Sequence, residues 1–377
     1  MADDGGRLVL ITGGAGFIGS HTADALLARG YRVRVLDILD PQIHGVGGTR
    51  PVYLDPRVEL IVGDVRNRSD LAGALEGVSA VYHFAAQTGV GQSMYDIQSY
   101  CDVNINGTAM LLDVLGNVSH RVQRVVLSSS RAVYGEGEYR CERCGSITPP
   151  KRSREQLESR RWEMACDRCG SVAHPVPTPE GKPLDPISVY ALTKRVQEDL
   201  LRMFGATYGM RFVVLRYFNV YGERQALNNP YTGIGAIFTN RALMGQDISI
   251  YEDGQPGRDF VHVRDVVQAN ILALENDLAI NGTFNVGTGR RLTVLQLAEL
   301  ILQKIGVTVR LRQTGQYREG DIRDCYADLS HSTKVLGYRP SVPFDAGVEE
   351  MIRWARTQPV EDRFAEAESA LKDRKLL

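Results

Sequence analysis

The chain has 377 residues, 43% of them hydrophobic and 24% charged, enough to bury a sizeable core in one large or two medium domains. With 44 basic against 45 acidic side chains the formal net charge is -1, so the charge balance gives no reason to expect a nucleic-acid partner. The opening MADDGG lacks a basic stretch followed by an apolar one, and no apolar run is long enough to cross a bilayer, so we expect a soluble, cytoplasmic protein with no membrane partner.

The first half alternates short apolar runs with longer amphipathic ones, the pattern of βαβ units around a parallel sheet. RLVLIT, YRVRVLD, VELIVGD, AVYHFAA, RVVLSS and RFVVLRY are expected as successive strands. Between them, SHTADALLARG and VNINGTAMLLDVLG read as helices closed by Gly30 and Gly116. The expected fold class is α/β: a Rossmann-type, doubly wound parallel sheet that binds ligands at the carboxyl ends of its strands. Past about residue 216, loop-rich segments such as NVYGERQALNNPYTG alternate with isolated elements, as in a smaller α/β domain that covers a substrate. We therefore expect a first domain over 1–215, interrupted by an insertion at 138–180, and a second over 216–377. Parts of 259–290, with HVRDVVQANILALEN and GTFNVGTG, should return to the first domain. The charged, helix-prone DRFAEAESALKDRKLL reads as a peripheral helix.

After the first strand comes TGGAGFIGSH, with Gly13, Gly16 and Gly19 spaced G-x-x-G-x-x-G and Phe17 and Ile18 between the last two. A tight turn, close approach of the backbone to a pyrophosphate, and packing of the next helix on the sheet all need residues without a Cβ. The helix start then offers free N–H groups and partial positive charge to the phosphates. Asp37 ends the second strand, 18 residues after Gly19. A carboxylate there bonds the adenine ribose hydroxyls and repels a 2′-phosphate, and Ile38 brings no compensating charge, which favours NAD over NADP. The plainer reading, a structural glycine turn with an exposed Asp, does not use the strand, turn and helix around it.

YALTK sets Tyr190 and Lys194 four residues apart, one above the other on a helix face. An ammonium near a phenol stabilises the phenolate and makes tyrosine a usable base. Alone, such a pair is usually solvated. Its companion is Ser128-Ser129-Ser130 at the end of a strand, where a hydroxyl can meet both a substrate oxygen and the tyrosine.

Taken in order, TGGAGFIG, GDV, HFAA, SSSRAVYG, YALTK, RYFNVYG and GRDFVHVRDV resemble the extended short-chain dehydrogenase/reductases that act on nucleotide sugars, from about residue 7 to about residue 340. The resemblance implies Tyr190 as base, Lys194 as its partner and ribose anchor, and Ser130 as the hydroxyl bridging substrate and tyrosine. It implies Asp64 and Val65 beside the adenine, and Ala85 and Ala86 along a tightly bound NAD. It implies Asn219 at the sugar-nucleotide phosphates, Arg258 and Arg318 at the diphosphate, and Asp321 at the nucleotide ribose; guanidinium forks suit phosphate oxygens. A homodimer through helices near 98–116 and 189–205 is also implied, with Leu200 and Met203 at outer positions that permit it. Dehydratases of this type carry a Thr-Asp-Glu triplet at the strand end, whereas here it is Ser130-Arg131-Ala132 without a carboxylate. The expected reaction is 4-epimerisation of a dTDP- or UDP-linked sugar.

Ser130 and Tyr190 stand 60 positions apart, and the insertion between them holds Cys141-x-x-Cys144 and Cys166-x-x-Cys169. Among nucleotide-sugar enzymes this arrangement resembles that of dTDP-L-rhamnose 4-epimerases, with UDP-galactose or UDP-glucuronate as the other expected substrates. Six cysteines are too few for a disulfide scaffold. Four thiolates in two hooks suit a structural zinc with no position left for water; reduced cysteines or two disulfides are the alternative. We expect the insertion to form a lid or wall over the sugar pocket, because both its ends lead to catalytic elements. Its basic residues Lys151, Arg152, Arg154, Arg160 and Arg161 read as a solvated helix face; an RNA- or protein-binding scaffold would be the reading of another class, disfavoured by scarce aromatics.

Overall fold

The computed structural model describes residues 7–45, 47–359, 361 and 363–377. Seven parallel strands form the central sheet. They are β1 (Leu8–Thr12), β2 (Arg32–Asp37), β3 (Glu59–Val62), β4 (Ala80–His83) and β5 (Arg124–Ser130), joined by Arg211–Tyr217 and Gly282–Val286 in the order 282–286, 211–217, β5, β4, β1, β2, β3. All six stretches expected as strands contribute to it. The order reverses between β1 and β4, which opens a crevice at their carboxyl ends where a doubly wound sheet binds its ligand.

The inner strands are buried on both faces, whereas the edge strand β3 is partly exposed, and the period of two sorts the side chains between two cores. Val9 and Ile11 of β1 join Val126, Val213 and Leu215 in one cluster; Leu8 and Leu10 join Val125, Leu127 and Val214 in the other. The first is covered by helices Phe17–Leu27 and Val263–Glu275 through Ala23, Leu26, Val266 and Ala269. The second is covered by helices Arg68–Ala74, Gly107–Asn117 and Val189–Tyr208 through Leu71, Leu111, Leu115, Leu201 and Phe204. Gly30, at φ +82°, follows the first helix as expected, but Gly116 lies inside the helix it was expected to close, which runs on to Asn117.

The insertion folds as a small antiparallel sheet, β6 (Glu138–Cys141), β7 (Gly145–Ile147) and β8 (His174–Val176), with β6 in the middle. Its core is Tyr139, Cys141, Ile147, Met164, Cys166 and Ala173. A third cluster, built from Phe238, Ile248, Ile250, Phe260, Leu297, Ile301, Val348 and Met351, lies in the C-terminal part of the chain.

Candidate active site

One cleft of about 660 Å³ runs from the glycine loop to the loop at 317–322. The structure brings every residue expected at cofactor or substrate into its lining: Gly13, Gly16, Phe17, Ile18, Gly19, Asp37, Asp64, Val65, Ala85, Ala86, Ser130, Tyr190, Lys194, Asn219, Arg258, Arg318 and Asp321. The four cysteines lie elsewhere, in the insertion.

The glycine loop leaves no room for side chains. Gly13 has φ +68°, and a Cβ there would stand 2.7 Å from the Ala85 nitrogen; one on Gly19 would stand 2.6 Å from Gly14 Cα. Asp37 accepts the Ala15 N–H at 2.9 Å with one carboxylate oxygen and the Leu39 N–H at 2.9 Å with the other. The carboxylate expected to meet the adenine ribose therefore also holds the loop beneath the pyrophosphate. Asp64 is clamped by Arg66, whose hydrogen bonds hold its carboxyl below the usual range against the opposing effect of burial.

Ser130 is the last residue of β5, and its Oγ accepts the Ala132 N–H at 3.2 Å. Tyr190 is the second residue of helix Val189–Tyr208, whose start is capped by Ser188 accepting the Ala191 N–H at 3.2 Å. The positive end of that helix favours a phenolate. Burial pushes the Tyr190 phenol up, while the Ser130 hydroxyl and the Arg131 guanidinium pull it down. One turn on, Lys194 is buried, and its ammonium donates to the Ser128 carbonyl at 2.9 Å. Burial drives its pKa down from 10.5 to about 7, against the raising influence of Glu198. His83 is held between Thr12 and Thr108, and burial followed by the Lys194 charge pushes it down to about 3, so it is neutral.

On the far side, the Asn219 Oδ1 is buried without a hydrogen-bond partner among the described residues, leaving an amide edge free for a ligand. Arg318 bonds Asp321 at 2.9 Å and lies over the Tyr251 ring, 5.3 Å from its centroid. Arg258 differs from expectation. Its guanidinium donates to the carbonyls of Gly257, Arg323 and Ile322 at 2.8, 3.0 and 2.8 Å, so most of its donors brace backbone and few remain for a diphosphate.

Several lining residues escaped the sequence reading. Arg131 lines the cleft beside Tyr190 with no hydrogen-bond or ion-pair partner among the described residues, and burial followed by the neighbouring Arg258 charge lowers its pKa to about 10. Behind the lining, Asn104 sits in a π-helical segment, Cys101–Asn106, a feature common at functional sites. It bonds the backbone of Gln87 and the Thr193 hydroxyl at 2.9 Å, joining the cleft's loop to the helix of Tyr190. Phe364, Ala367, Glu368 and Leu371 of the C-terminal helix Phe364–Lys372 also line the cleft, so that helix is not peripheral. Its alternation of charged and small residues carries no chemical signature that would have placed it there.

The insertion does not form the expected lid: none of its described residues, 138–180, lines the cleft. Nor is its basic run simply solvated. Arg152 is buried and pairs with Glu252 at 2.8 Å. The four sulfurs of Cys141, Cys144, Cys166 and Cys169 lie within 4.8 Å of one another, and all six cysteines of the chain are unpaired. Gly145 at φ +79° and Gly170 at φ +72° turn the chain after each hook.

The cleft has counterparts among known proteins. A model of the NAD dependent epimerase/dehydratase family matches residues 9–155 and 168–287, the gap falling inside the insertion. The chain is 36% identical to a dTDP-L-rhamnose 4-epimerase from Burkholderia thailandensis over 93% of this chain and 95% of that protein. Among solved structures it is similar to the UDP-glucose 4-epimerase of Thermus thermophilus in complex with NAD, at 30% identity and a TM-score of 0.75, covering 94% of this chain and 100% of that one. It is likewise similar to the UDP-glucuronic acid 4-epimerase of Bacillus cereus in complex with UDP-glucuronic acid and NAD, at 26% identity and a TM-score of 0.75, covering 93% and 99%. By its sheet, its glycine loop and the extent of these matches, the chain belongs to the NAD dependent epimerase/dehydratase family.

Proposed function

We propose that this protein is an NAD-dependent nucleotide-sugar 4-epimerase, and that its substrate pair is dTDP-L-rhamnose and dTDP-6-deoxy-L-talose. The observation that carries the reading is one cleft in which Ser130, Tyr190 and Lys194 meet the glycine loop at one end and Asn219, Arg318 and Asp321 at the other. Tyr190 takes the proton from the sugar's 4-hydroxyl and gives it back after the ring has turned, with Ser130 holding the oxygen between them. Ser130, Arg131 and the helix start favour the phenolate. NAD, when bound, would supply the hydride acceptor and donor for C4. Asp37, Val65, Ala85 and Ala86 would hold that cofactor, and Gly13 and Gly19 let the loop pack closely against Ala85 and Gly14, the tight turn that a pyrophosphate-binding loop needs. The strand-end triplet without a carboxylate supports epimerisation over dehydration.

The rhamnose assignment is supported by the relative at 36% identity. A second reading, UDP-glucuronate 4-epimerase, is favoured by the unpaired Arg131, which a uronate carboxylate would satisfy. Comparing kcat/KM for dTDP-L-rhamnose, UDP-galactose and UDP-glucuronate separates the readings, and a preference of tenfold or more for a UDP-sugar would overturn the first (about 1.4 kcal/mol).

We also propose a structural zinc at Cys141, Cys144, Cys166 and Cys169. Sulfur positions within 4.8 Å of one another and unpaired thiols fit a tetrahedral thiolate site, and a core of six side chains is small for a free-standing segment. The unpaired cysteines also suit a cytoplasmic setting. Residues 1–215 would hold NAD, and 216–377, apart from the returning strand and helix, would hold the sugar nucleotide. Exposed Leu192 and Met203 on helix Val189–Tyr208 support the homodimer, though Leu200 is turned partly inward against the core.

A further inference from the structure

The insertion touches the cleft only from behind, and the contact is made of buried charge. We propose that Arg152 and Glu163 of the insertion are positioning residues for the nucleotide-binding wall, setting substrate affinity without reaching the substrate; this rests on the nucleotide-sugar reading above.

Arg152 is 5% exposed and grips Glu252 with both nitrogens of its fork, at 3.0 and 2.8 Å. Glu252 is itself a cleft residue and takes φ +51°, a left-handed conformation that a glutamate holds only when its surroundings dictate it. Its backbone N–H bonds the Gln316 carbonyl at 2.7 Å, and its carboxylate is shared by a pair of arginines, because Arg323 bonds it at 2.9 Å. Glu163 of the insertion bonds the other end of Arg323. The neighbour of Glu252, Tyr251, is the ring under Arg318.

The backbone after Arg318 is held from two sides. From the cleft side Arg258 donates to the carbonyls of Ile322 and Arg323. From the opposite side Glu136, two residues before the insertion, accepts the Arg323 N–H at 2.7 Å and the Asp324 N–H at 3.2 Å, and Arg152 of the insertion reaches the Asp321 carbonyl at 3.5 Å. Lys151 adds a pair to Glu319 at 3.2 Å. Arg318 and Asp321, the residues that would meet diphosphate and ribose, therefore project from a strip whose rear is fastened to the insertion. Removing Arg152 leaves Glu252 and Glu136 buried near each other with less compensating charge, so the strip must shift or take in water.

The test is Arg152→Met, which keeps length and removes charge, beside Arg152→Lys and Glu163→Gln, each titrated calorimetrically with dTDP and with UDP and assayed for kcat and KM. Arg152→Met is expected to weaken nucleotide binding and raise KM about tenfold or more, with kcat within about twofold and NAD retention unchanged; Arg152→Lys recovers part of the loss. Glu163, half-exposed, is expected to cost less, and it carries the test if Arg152→Met does not fold. Folded variants with unchanged nucleotide affinity and KM would overturn the proposal, as would equal losses of NAD and nucleotide binding. A wild-type protein that binds dTDP or UDP but epimerises no sugar would overturn the activity reading alone.

Discussion

The Lys194 ammonium donates to the Ser128 carbonyl at 2.9 Å, joining the helix of the tyrosine to the strand of the serine. The bond is made inside the protein by a cation that burial disfavours, and this has a measurable thermodynamic consequence. The folded pKa of about 7 lies below the ordinary 10.5, so between those values the unfolded chain binds more protons. Stability gained from this group therefore rises with pH across that window and is flat below it. In cofactor-free protein, Lys194→Met should be more stable than wild type at about pH 6, by on the order of 1–3 kcal/mol, with the gap closing toward about pH 10. Urea unfolding at the two pH values measures it, and a variant no more stable at the lower pH contradicts a destabilised cation.

In the proposed reaction Tyr190 would supply the proton transfer and little of the binding. Tyr190→Phe should lower kcat by roughly 100- to 10,000-fold while leaving NAD content unchanged. Single-turnover assays and the cofactor content of denatured samples check both parts. Retained activity would assign the base to another group.

Arg131 pulls the Tyr190 phenol down and has no partner of its own among the described residues. Arg131→Met should move the rising limb of the pH–rate profile to higher pH, because the phenolate loses a nearby cation, and raise KM about tenfold (about 1.4 kcal/mol). Arg131→Lys should keep the profile near that of wild type. Identical profiles for all three proteins would remove Arg131 from the site's electrostatics.

The cysteine cluster predicts about one zinc per chain by elemental analysis, in line with a four-thiolate structural site. Cys141→Ser with Cys166→Ser should abolish the metal and lower the melting temperature by about 5 °C or more, equivalent to roughly 2 kcal/mol. Metal-free wild-type protein with full stability would contradict the assignment.

Local chemistry made much of this molecule legible in its sequence. Gly13, Gly16 and Gly19 could be read because the turn they make needs no distant partner, and most strands because they are buried on both faces. That a strand-end serine meets Tyr190 across the intervening chain could be read from the carboxyl end of the strand, while its assignment to Ser130, 60 positions away, came from family resemblance. Arg152 was not legible. Its role depends on Glu252, 100 positions away, and on Arg323 beyond it, and no local pattern separates a buried arginine from a solvated one. The same holds for Arg258, whose donors are taken by backbone carbonyls, and for Leu371, which reaches the cleft only because the chain end folds back over it.

In the proposed function this chain turns over a nucleotide sugar at C4 using a cofactor it already carries. The most direct measurement is proton NMR of purified protein with dTDP-L-rhamnose and no added NAD. A second anomeric signal from the 4-epimer, growing to a constant ratio, is expected. No new signal with dTDP-L-rhamnose, UDP-hexoses or UDP-hexuronates, even after NAD is added, would contradict that function.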